Sequence, residues 1–136
     1  MLATFAELLD VDLPDKAGED SQSFAPVLVD PNADYDRVPF VSHDSRDMRY
    51  AITDGIWKLV LPSGKKSAEL YNLSKDRAEA TNVADANPEK VQALTEKMNA
   101  LITKGRSTQG ESQSNDTGYW KDLTWMTKQQ YSELAK

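Results

Sequence analysis

The sequence predicts an α+β fold, in which a small antiparallel sheet of about four strands carries one long amphipathic helix on one face. Two patterns support this class. The dipeptide Asp54-Gly55 lies between two short apolar segments, and it is a strong signal for a two-residue hairpin turn, whose central positions need positive φ. From Pro88 to Lys104, apolar side chains recur at helical spacing and form one stripe. The stripe consists of Val91, Leu94, Met98, Leu101 and Ile102.

The two-residue turn predicts a register for the hairpin. It pairs Thr53 with Ile56, Ile52 with Trp57, Ala51 with Lys58 and Tyr50 with Leu59. Directly opposed residues share a face of the sheet, so this register collects the large apolar side chains on one face. We therefore predict that Trp57 packs in the core, in preference to stacking on a sugar, and that Lys58 is solvated on the other face.

The remaining elements follow from local patterns. Met1–Asp10 places four apolar side chains on one helical face, and Val38–Ser42 and Ala68–Leu73 are predicted strands. Ser74–Ala84 is a polar loop whose side chains can bond to their own backbone. Thr127–Lys136 can form a short helix.

Capping residues bound the long helix. Asn87 is the predicted N-cap, Pro88 suits the first helical position, and Gly105 is a predicted stop. We divide the chain into a helix and linker (1–30), an α+β unit (31–106) and an extended tail that can include a short helix (107–136).

Composition excludes several classes of protein. The chain has 136 residues, a net charge of -6 and no cysteine. A length of this order fits one domain. The acidic balance argues against a nucleic-acid partner, and no apolar run is long enough for a membrane helix. The lack of cysteine rules out disulfides, thiolate metal sites and a cysteine nucleophile. No signal-peptide pattern is visible at the start of the chain.

Two segments carry a family resemblance. Glu69–Ala84, here called the signature segment, reads ELYNLSKDRAEATNVA, and the hairpin Arg49–Leu61 reads RYAITDGIWKLVL. Together they resemble the C-terminal subdomain of the type I, arylsulfatase-like sulfatases, which hydrolyse sulfate esters. The run GRSTQG at Gly105–Gly110 is similar to the tail of bacterial members. Asn72 and Arg77 depart from the family pattern, where Asp and Pro are common.

The resemblance implies a parent enzyme that cleaves a sulfate ester of a carbohydrate or aryl alcohol. Its nucleophile would be a formylglycine within a C/S-x-P-x-R motif, and it would bind calcium. The run Ser23–Val27 reads SFAPV and lacks the arginine. The formylglycine and the calcium ligands are therefore expected outside this chain, in an N-terminal sulfatase domain. The chain alone is expected to be inactive, and its parent to be periplasmic or secreted.

Three residues are candidates for substrate contact. His43, Arg46 and Arg49 follow a predicted strand, and the resemblance implies that this strand end faces the mouth of the active site. Arginine suits anionic esters. The plainer interpretation is a surface histidine beside solvated arginines. Metal ligands are not expected: the aspartates at 10, 12 and 15 and at 30, 34 and 36 lack the spacing of a calcium loop. The letters Ser42-His43-Asp44 cannot form a triad locally, because adjacent residues alternate across a strand.

The alternative function is a stand-alone interaction module. A sulfatase subdomain would have two partners, the N-terminal sulfatase domain and a sulfated small molecule or carbohydrate. A stand-alone module would have neither. In either case the apolar face of Met1–Asp10 needs a covering surface, and a homo-oligomer of the chain would supply one.

Overall fold

The structure, a computed structural model, describes residues 1–115 and 117–136. Its strands are β1 (Phe40–Asp44), β2 (Arg49–Asp54), β3 (Trp57–Val60) and β4 (Glu69–Asn72), and its helices are α1 (Leu2–Leu8), α2 (Ala25–Val29), α3 (Pro88–Lys104) and α4 (Lys128–Leu134). The strands form one antiparallel sheet in the order β1-β2-β3-β4. The predicted α+β class is confirmed.

The predicted hairpin register is wrong. Ile52 pairs with Leu59, and Asp54 pairs with Trp57, so the turn residues are Gly55 and Ile56 rather than Asp54 and Gly55. Asp54 stays in the strand, where its carboxylate meets Lys97 of α3 at 2.5 Å. Each partner on β3 is displaced by two residues from the prediction, and side chains alternate with a period of two. The predicted faces are therefore correct although the pairs are not.

The core lies between α3 and one face of the sheet, here called the helix-side face. Its buried members are Ile52, Leu59, Leu61, Leu70, Ala84, Leu94 and Met98. Trp57 packs against this cluster but is only half-buried, and Lys90 lies over its ring at 5.9 Å from the centroid. Truncating Trp57 should therefore cost less than the roughly 3–5 kcal/mol typical of a fully buried tryptophan.

The ends of α3 differ in how they are held. Gly105 ends the helix as predicted, with a left-handed φ of 71° and an N–H that donates to the carbonyls of Leu101 and Ile102. Asn87 occupies the N-cap position, but its side chain makes no capping bond. It donates instead to the Val83 carbonyl at 2.8 Å, and so ties the helix start to the signature segment.

The tail folds back onto the domain. Leu123, Met126 and Tyr131 form a second buried cluster against Tyr50 and Ile102. A capping box between Thr127 and Gln130 begins α4. Trp125 and Met126 therefore pack within the domain, whereas Trp120 is 46% exposed.

The N-terminal helix leaves its apolar face open. Thr4 is the buried residue of α1, and its hydroxyl accepts a hydrogen bond from the Phe24 amide at 3.2 Å. The four apolar side chains of the predicted stripe are about half exposed or more: Leu2, Phe5, Leu8 and Leu9. In the described part of the chain, no helix is long and apolar enough to cross a membrane.

Candidate functional site

The predicted site residues lie at one end of the sheet but on both of its faces. His43 pairs with Tyr50, and Asp44 pairs with Arg49. Because opposed residues share a face, His43 lies on the helix-side face and Arg49 on the opposite one, here called the open face. Arg46 lies in the turn that joins β1 to β2. The structure thus places all three near one strand end without bringing the His43 and Arg49 side chains together.

His43 stacks on an aromatic neighbour. Its ring lies nearly parallel to that of Tyr50, with centroids 4.3 Å apart, and Tyr50 in turn meets Trp125 at 5.3 Å. Burial raises the pKa of the Tyr50 hydroxyl, and the negative charge of Asp122 adds to the effect. His43 itself is exposed. The imidazole is therefore held in position by its strand partner while remaining accessible.

Arg46 is exposed, and its position is set by the turn. The Asp44 carboxylate accepts a hydrogen bond from the Arg46 amide at 2.9 Å, which is the local bonding typical of aspartate in turns. The Arg46 guanidinium makes no ion pair with any described residue. Arg46 is therefore an exposed cation at the β1–β2 turn that is not committed to an ion pair within the described part of the chain.

Arg49 is held on the open face. It is 9% exposed, and its guanidinium donates to the Leu61 carbonyl (3.3 Å), the Ser67 carbonyl (2.8 Å) and a Glu69 carboxylate oxygen (2.6 Å). The Tyr71 hydroxyl donates to the other Glu69 oxygen at 2.8 Å. Burial and this bond raise the pKa of Tyr71 to about 12. Arg49 thus joins β2, β4 and the loop between β3 and β4.

The Arg49–Glu69 pair predicts a pH dependence of stability. The hydrogen bond from Arg49 lowers the pKa of Glu69 below its usual value of 4.5. A carboxylate with a depressed folded-state pKa contributes stability that is present above the unfolded pKa and is lost as the pH falls through the folded value. Urea melts between pH 7 and pH 3 should therefore show a weaker acid loss in Glu69→Gln than in the wild type. Equal acid losses in Glu69→Gln and in the control Glu89→Gln would contradict this role.

The signature segment is held by its own polar side chains. The Asn82 side-chain oxygen accepts from the amides of Leu70 and Ala84, both at 2.9 Å. The Asp76 carboxylate accepts from the Thr81 amide at 2.8 Å. Hydrogen bonds from the backbone, that of Thr81 first, hold the pKa of Asp76 below its usual range. These contacts agree with a structural role for the segment, since they satisfy backbone groups in a tight connection.

Lys58 is partly buried in an ion pair and only 24% exposed, whereas the prediction left it solvated without a partner. Its ammonium group donates to both carboxylate oxygens of Glu79, at 2.7 and 2.6 Å. Glu79 has a positive φ of 55°, an uncommon conformation for a residue other than glycine. The pair therefore fastens the signature segment to the open face of the sheet.

The structure contains a cavity and a buried arginine that the sequence did not predict. The cavity, of about 370 Å³, lies between β1, the end of α3 and the chain after it. Its wall includes Arg106, which is 5% exposed. This guanidinium donates to the carbonyls of Asp15 and Glu111 and to the Thr108 hydroxyl. The GRSTQG run, which contains Arg106, resembles a family pattern. Nothing in that run indicates that its arginine connects both ends of the chain.

Gly110 lies directly against this guanidinium, and alanine there should be disruptive. An added Cβ would lie 2.3 Å from Arg106 Nη1, and the φ of 129° disfavours any side chain. We expect Gly110→Ala to destabilise the fold by about 2–4 kcal/mol, because strain and overpacking combine. Gly64→Ala is the control, since Gly64 also has a positive φ, of 59°, but its Cβ would meet open space, so this variant carries backbone strain without overpacking. Urea melts measure both variants, and equal losses would show that Arg106 moves aside freely.

The described residues do not form a metal site. No group of three or more His, Cys, Asp or Glu side chains among them is placed to hold a metal ion. The aspartate clusters of the sequence thus do not assemble into a calcium site in the described part of the chain. Calcium and formylglycine stay predictions for the rest of a parent enzyme.

Comparison with known proteins identifies relatives. An N-acetylgalactosamine-6-O-sulfatase of Bacteroides thetaiotaomicron is 30% identical over 118 residues, which cover 76% of this chain and 23% of the relative. A solved structure described under the metabolism of multiple glycosaminoglycans by Bacteroides thetaiotaomicron matches with a TM-score of 0.65 and 30% identity, over 76% of this chain and 24% of that one. No protein-family model matches.

A solved 2-O GAG sulfatase matches with a TM-score of 0.48 and 22% identity, over 75% of this chain and 23% of that one. The chain spans about a quarter of the length of the relatives it matches. The family resemblance of the signature segment and hairpin is confirmed by the first two matches. The chain is therefore homologous to a segment of the Bacteroides thetaiotaomicron N-acetylgalactosamine-6-O-sulfatase and has the fold of the matching segment of the solved structure.

Proposed function

We propose that this chain is the C-terminal part of a sulfatase, which completes the fold of the enzyme and contributes to its substrate-binding rim. The observation that carries the proposal is the match to about a quarter of an N-acetylgalactosamine-6-O-sulfatase. The reaction of the complete enzyme would be hydrolysis of a sulfate ester on a carbohydrate or aryl alcohol. Its nucleophile and calcium would come from residues outside this chain, and its compartment would be the periplasm or the exterior.

The exposed apolar face of α1 is evidence that another domain covers it. Leu2, Phe5, Leu8 and Leu9 are each about half exposed or more, and a contiguous apolar surface of this kind commonly marks a protein interface. The sheet and the tail, in contrast, close their own cores. We propose that the N-terminal part of the sulfatase packs on this face, and that self-association replaces it when the chain is alone.

Among the rim residues, the exposed pair fits substrate contact best. His43 and Arg46 are both exposed, and they offer a ring nitrogen and a guanidinium near one strand end. A charge-assisted hydrogen bond to a sulfate or carboxylate is strong enough to matter in binding. Arg49 has its donors committed to Glu69, Leu61 and Ser67. We propose that Arg49 contributes to the rim by positioning β2, on which Tyr50 supports His43.

Rim variants of the complete enzyme test this proposal. His43→Ala and Arg46→Ala should each lower kcat/KM for a sulfated saccharide by about tenfold or more, since a charged hydrogen bond is worth about 1.5–3 kcal/mol. A small aryl sulfate, which ends before the rim, should be turned over at nearly the wild-type rate. Lys75→Ala is the control, because Lys75 is exposed in the loop after β4, at the opposite end of the sheet from the β1–β2 turn. If both rim variants showed wild-type kinetics on the saccharide, neither His43 nor Arg46 would contact the substrate.

The isolated chain should not hydrolyse sulfate esters. The reason is the lack of a C/S-x-P-x-R motif and of cysteine in the sequence. Incubation with a chromogenic aryl sulfate and calcium measures the activity. Turnover that co-purifies with the chain, and that changes when the chain is mutated, would contradict the proposal.

A further inference from the structure

The two outer edges of the sheet differ in how their backbone groups are bonded. On the β4 edge, the Leu70 amide donates to the Asn82 side chain at 2.9 Å, and the Leu70 carbonyl accepts from the Val83 amide at 2.9 Å. The Asn72 carbonyl accepts from two amides of the turn that follows it. The signature segment therefore satisfies the outward-facing backbone groups of β4 and covers this edge of the sheet.

The β1 edge, in contrast, is open. The Leu61 amide donates to the Tyr50 carbonyl at 2.8 Å, so the backbone groups of Tyr50 point toward β3 and away from its β1 partner, His43. Because these groups alternate in direction along a strand, the N–H and C=O of His43, and those of Val41 two residues earlier, point outward. Within the described part of the chain, no backbone or side-chain group bonds to them.

The open edge is accessible to another strand. Val41 is 38% exposed, and the three residues that follow it in β1 are exposed as well. Unpaired edge groups of this kind are a template for an added strand. Pro39 precedes β1 and has no N–H to donate, so the free hydrogen-bonding groups are limited to those of Val41 and His43.

This edge is complementary to the same edge of a second copy. An antiparallel arrangement about a two-fold axis at Ser42 places Val41 opposite His43 of the second copy, and each such pair exchanges two backbone hydrogen bonds. An axis at Val41 would instead oppose His43 to Pro39, which lacks the N–H. An axis at His43 would oppose Val41 to Ser45, which lies in the turn. The axis at Ser42 is therefore the one that pairs every outward-facing group.

Charges at the two ends of β1 match in the same arrangement. The axis sets Asp44 opposite Phe40 of the second copy, and opposed residues share a face. The Arg37 guanidinium lies over the Phe40 ring, 3.9 Å from its centroid, and neither Arg37 nor Asp44 makes an ion pair with a described residue. The Asp44 carboxylate of each copy would consequently face the Arg37 cation of the other.

We propose that two copies of this chain associate through β1, antiparallel and about a two-fold axis at Ser42, so that one continuous sheet spans both copies. Such a contact uses the same surface on both partners, and its main-chain hydrogen bonds supply the affinity. The net charge of -6 on each copy opposes the association, but salt screens this repulsion. The contact is separate from the apolar face of α1 and does not depend on the proposed sulfatase function.

A single-cysteine variant tests this geometry. The chain contains no cysteine, so Ser42→Cys introduces one thiol, at an exposed position of β1. The axis sets this position opposite itself in a non-hydrogen-bonded pair, with Cα atoms about 4.5 Å apart, which is within the range of a disulfide. We expect mild oxidation to link two copies at least about tenfold faster than in the control Ser132→Cys, exposed on α4. Equal rates would overturn the proposal.

Sedimentation over a range of concentrations measures the same contact without a crosslink. We expect the wild-type chain to dimerise and Ser42→Lys to raise the dissociation constant by about tenfold or more, because two ammonium groups would then oppose each other. Ser132→Lys is the control, since it adds the same charge on α4. Val41→Pro is a second variant, which removes an outward N–H but no hydrogen bond between β1 and β2, and it too should weaken the dimer.

Phe5→Ser separates the β1 contact from the apolar face of α1. We expect this variant to keep the β1 dimer, because Phe5 lies on α1, which contributes nothing to the pairing of β1. A wild-type chain that stays monomeric up to about 1 mM would overturn the proposal. A dimer that Phe5→Ser abolishes and Ser42→Lys leaves unchanged would also overturn it, since the α1 face would then hold the two copies together.

Discussion

Leu59→Ala is expected to destabilise the fold by about 3–4 kcal/mol. Leu59 is completely buried at the centre of β3, with Ile52 on one side and Leu70 on the other. Truncating a buried leucine removes its transfer free energy and leaves a cavity, for which losses of about 2–5 kcal/mol are typical. Its neighbours belong to a sheet fixed by backbone pairing on both sides, so they can collapse into the space only slightly. Urea denaturation gives the free energy of unfolding directly.

Leu9→Ala is the matched control, because Leu9 is 71% exposed at the end of α1. We expect this variant to lose less than about 0.5 kcal/mol. The contrast also tests whether the apolar face of the first helix is open in the isolated chain. A loss above about 2 kcal/mol in Leu9→Ala would show that another surface covers this residue, either a second copy or the rest of the chain.

Arg49→Met is expected to cost about 2–3 kcal/mol of stability. Methionine keeps much of the length of the side chain but removes the Arg49 donor from the carbonyls of Leu61 and Ser67. The Glu69 carboxylate loses its cation and keeps only the hydrogen bond from Tyr71. Removing one member of a buried pair commonly costs about 3–5 kcal/mol. Glu69 is 33% exposed, so water compensates part of the loss and the lower figure applies.

Arg46→Met is the control for this second prediction. Arg46 is exposed and forms no ion pair with a described residue, so its change should stay within about 0.5 kcal/mol. Thermal or urea melts of both variants measure the free energy of unfolding. They distinguish Arg49, which stabilises the fold, from Arg46, which is available to a ligand. Equal stability of the two variants would mean that the Arg49 network contributes nothing to the fold.

Much of the fold was predictable because its signals are local. The spacing of Leu94 and Met98 predicted the body of α3, and Asn87-Pro88 and Gly105 predicted its two ends. The hairpin faces were also correct, since the alternation of Ile52 and Leu59 with polar neighbours survives a displacement by two residues. The register itself was not predictable from Asp54-Gly55, because Asp54 is held in the strand by Lys97, which is 43 residues away.

The candidate site was harder to predict from the sequence, because its geometry depends on contacts between segments that are distant in the chain. Arg46 and Arg49 are alike in the sequence, yet one is exposed and the other is fixed by Glu69. Lys58 looked solvated because its partner Glu79 lies 21 residues away in a loop. The cavity between β1 and the end of α3 is assembled from the N-terminal segment, β1, α3 and the tail, a combination that no local pattern encodes.

We propose that this chain works as part of a larger sulfatase. The most direct test is the intact mass of the native polypeptide that contains this sequence, captured from its source with an antibody against the chain. We expect a polypeptide about four times longer, because 118 aligned residues make up only 23% of the sulfatase relative, and we expect it to carry a formylglycine. A native polypeptide of 15.2 kDa with no sulfatase partner would contradict it, and would favour a stand-alone interaction module.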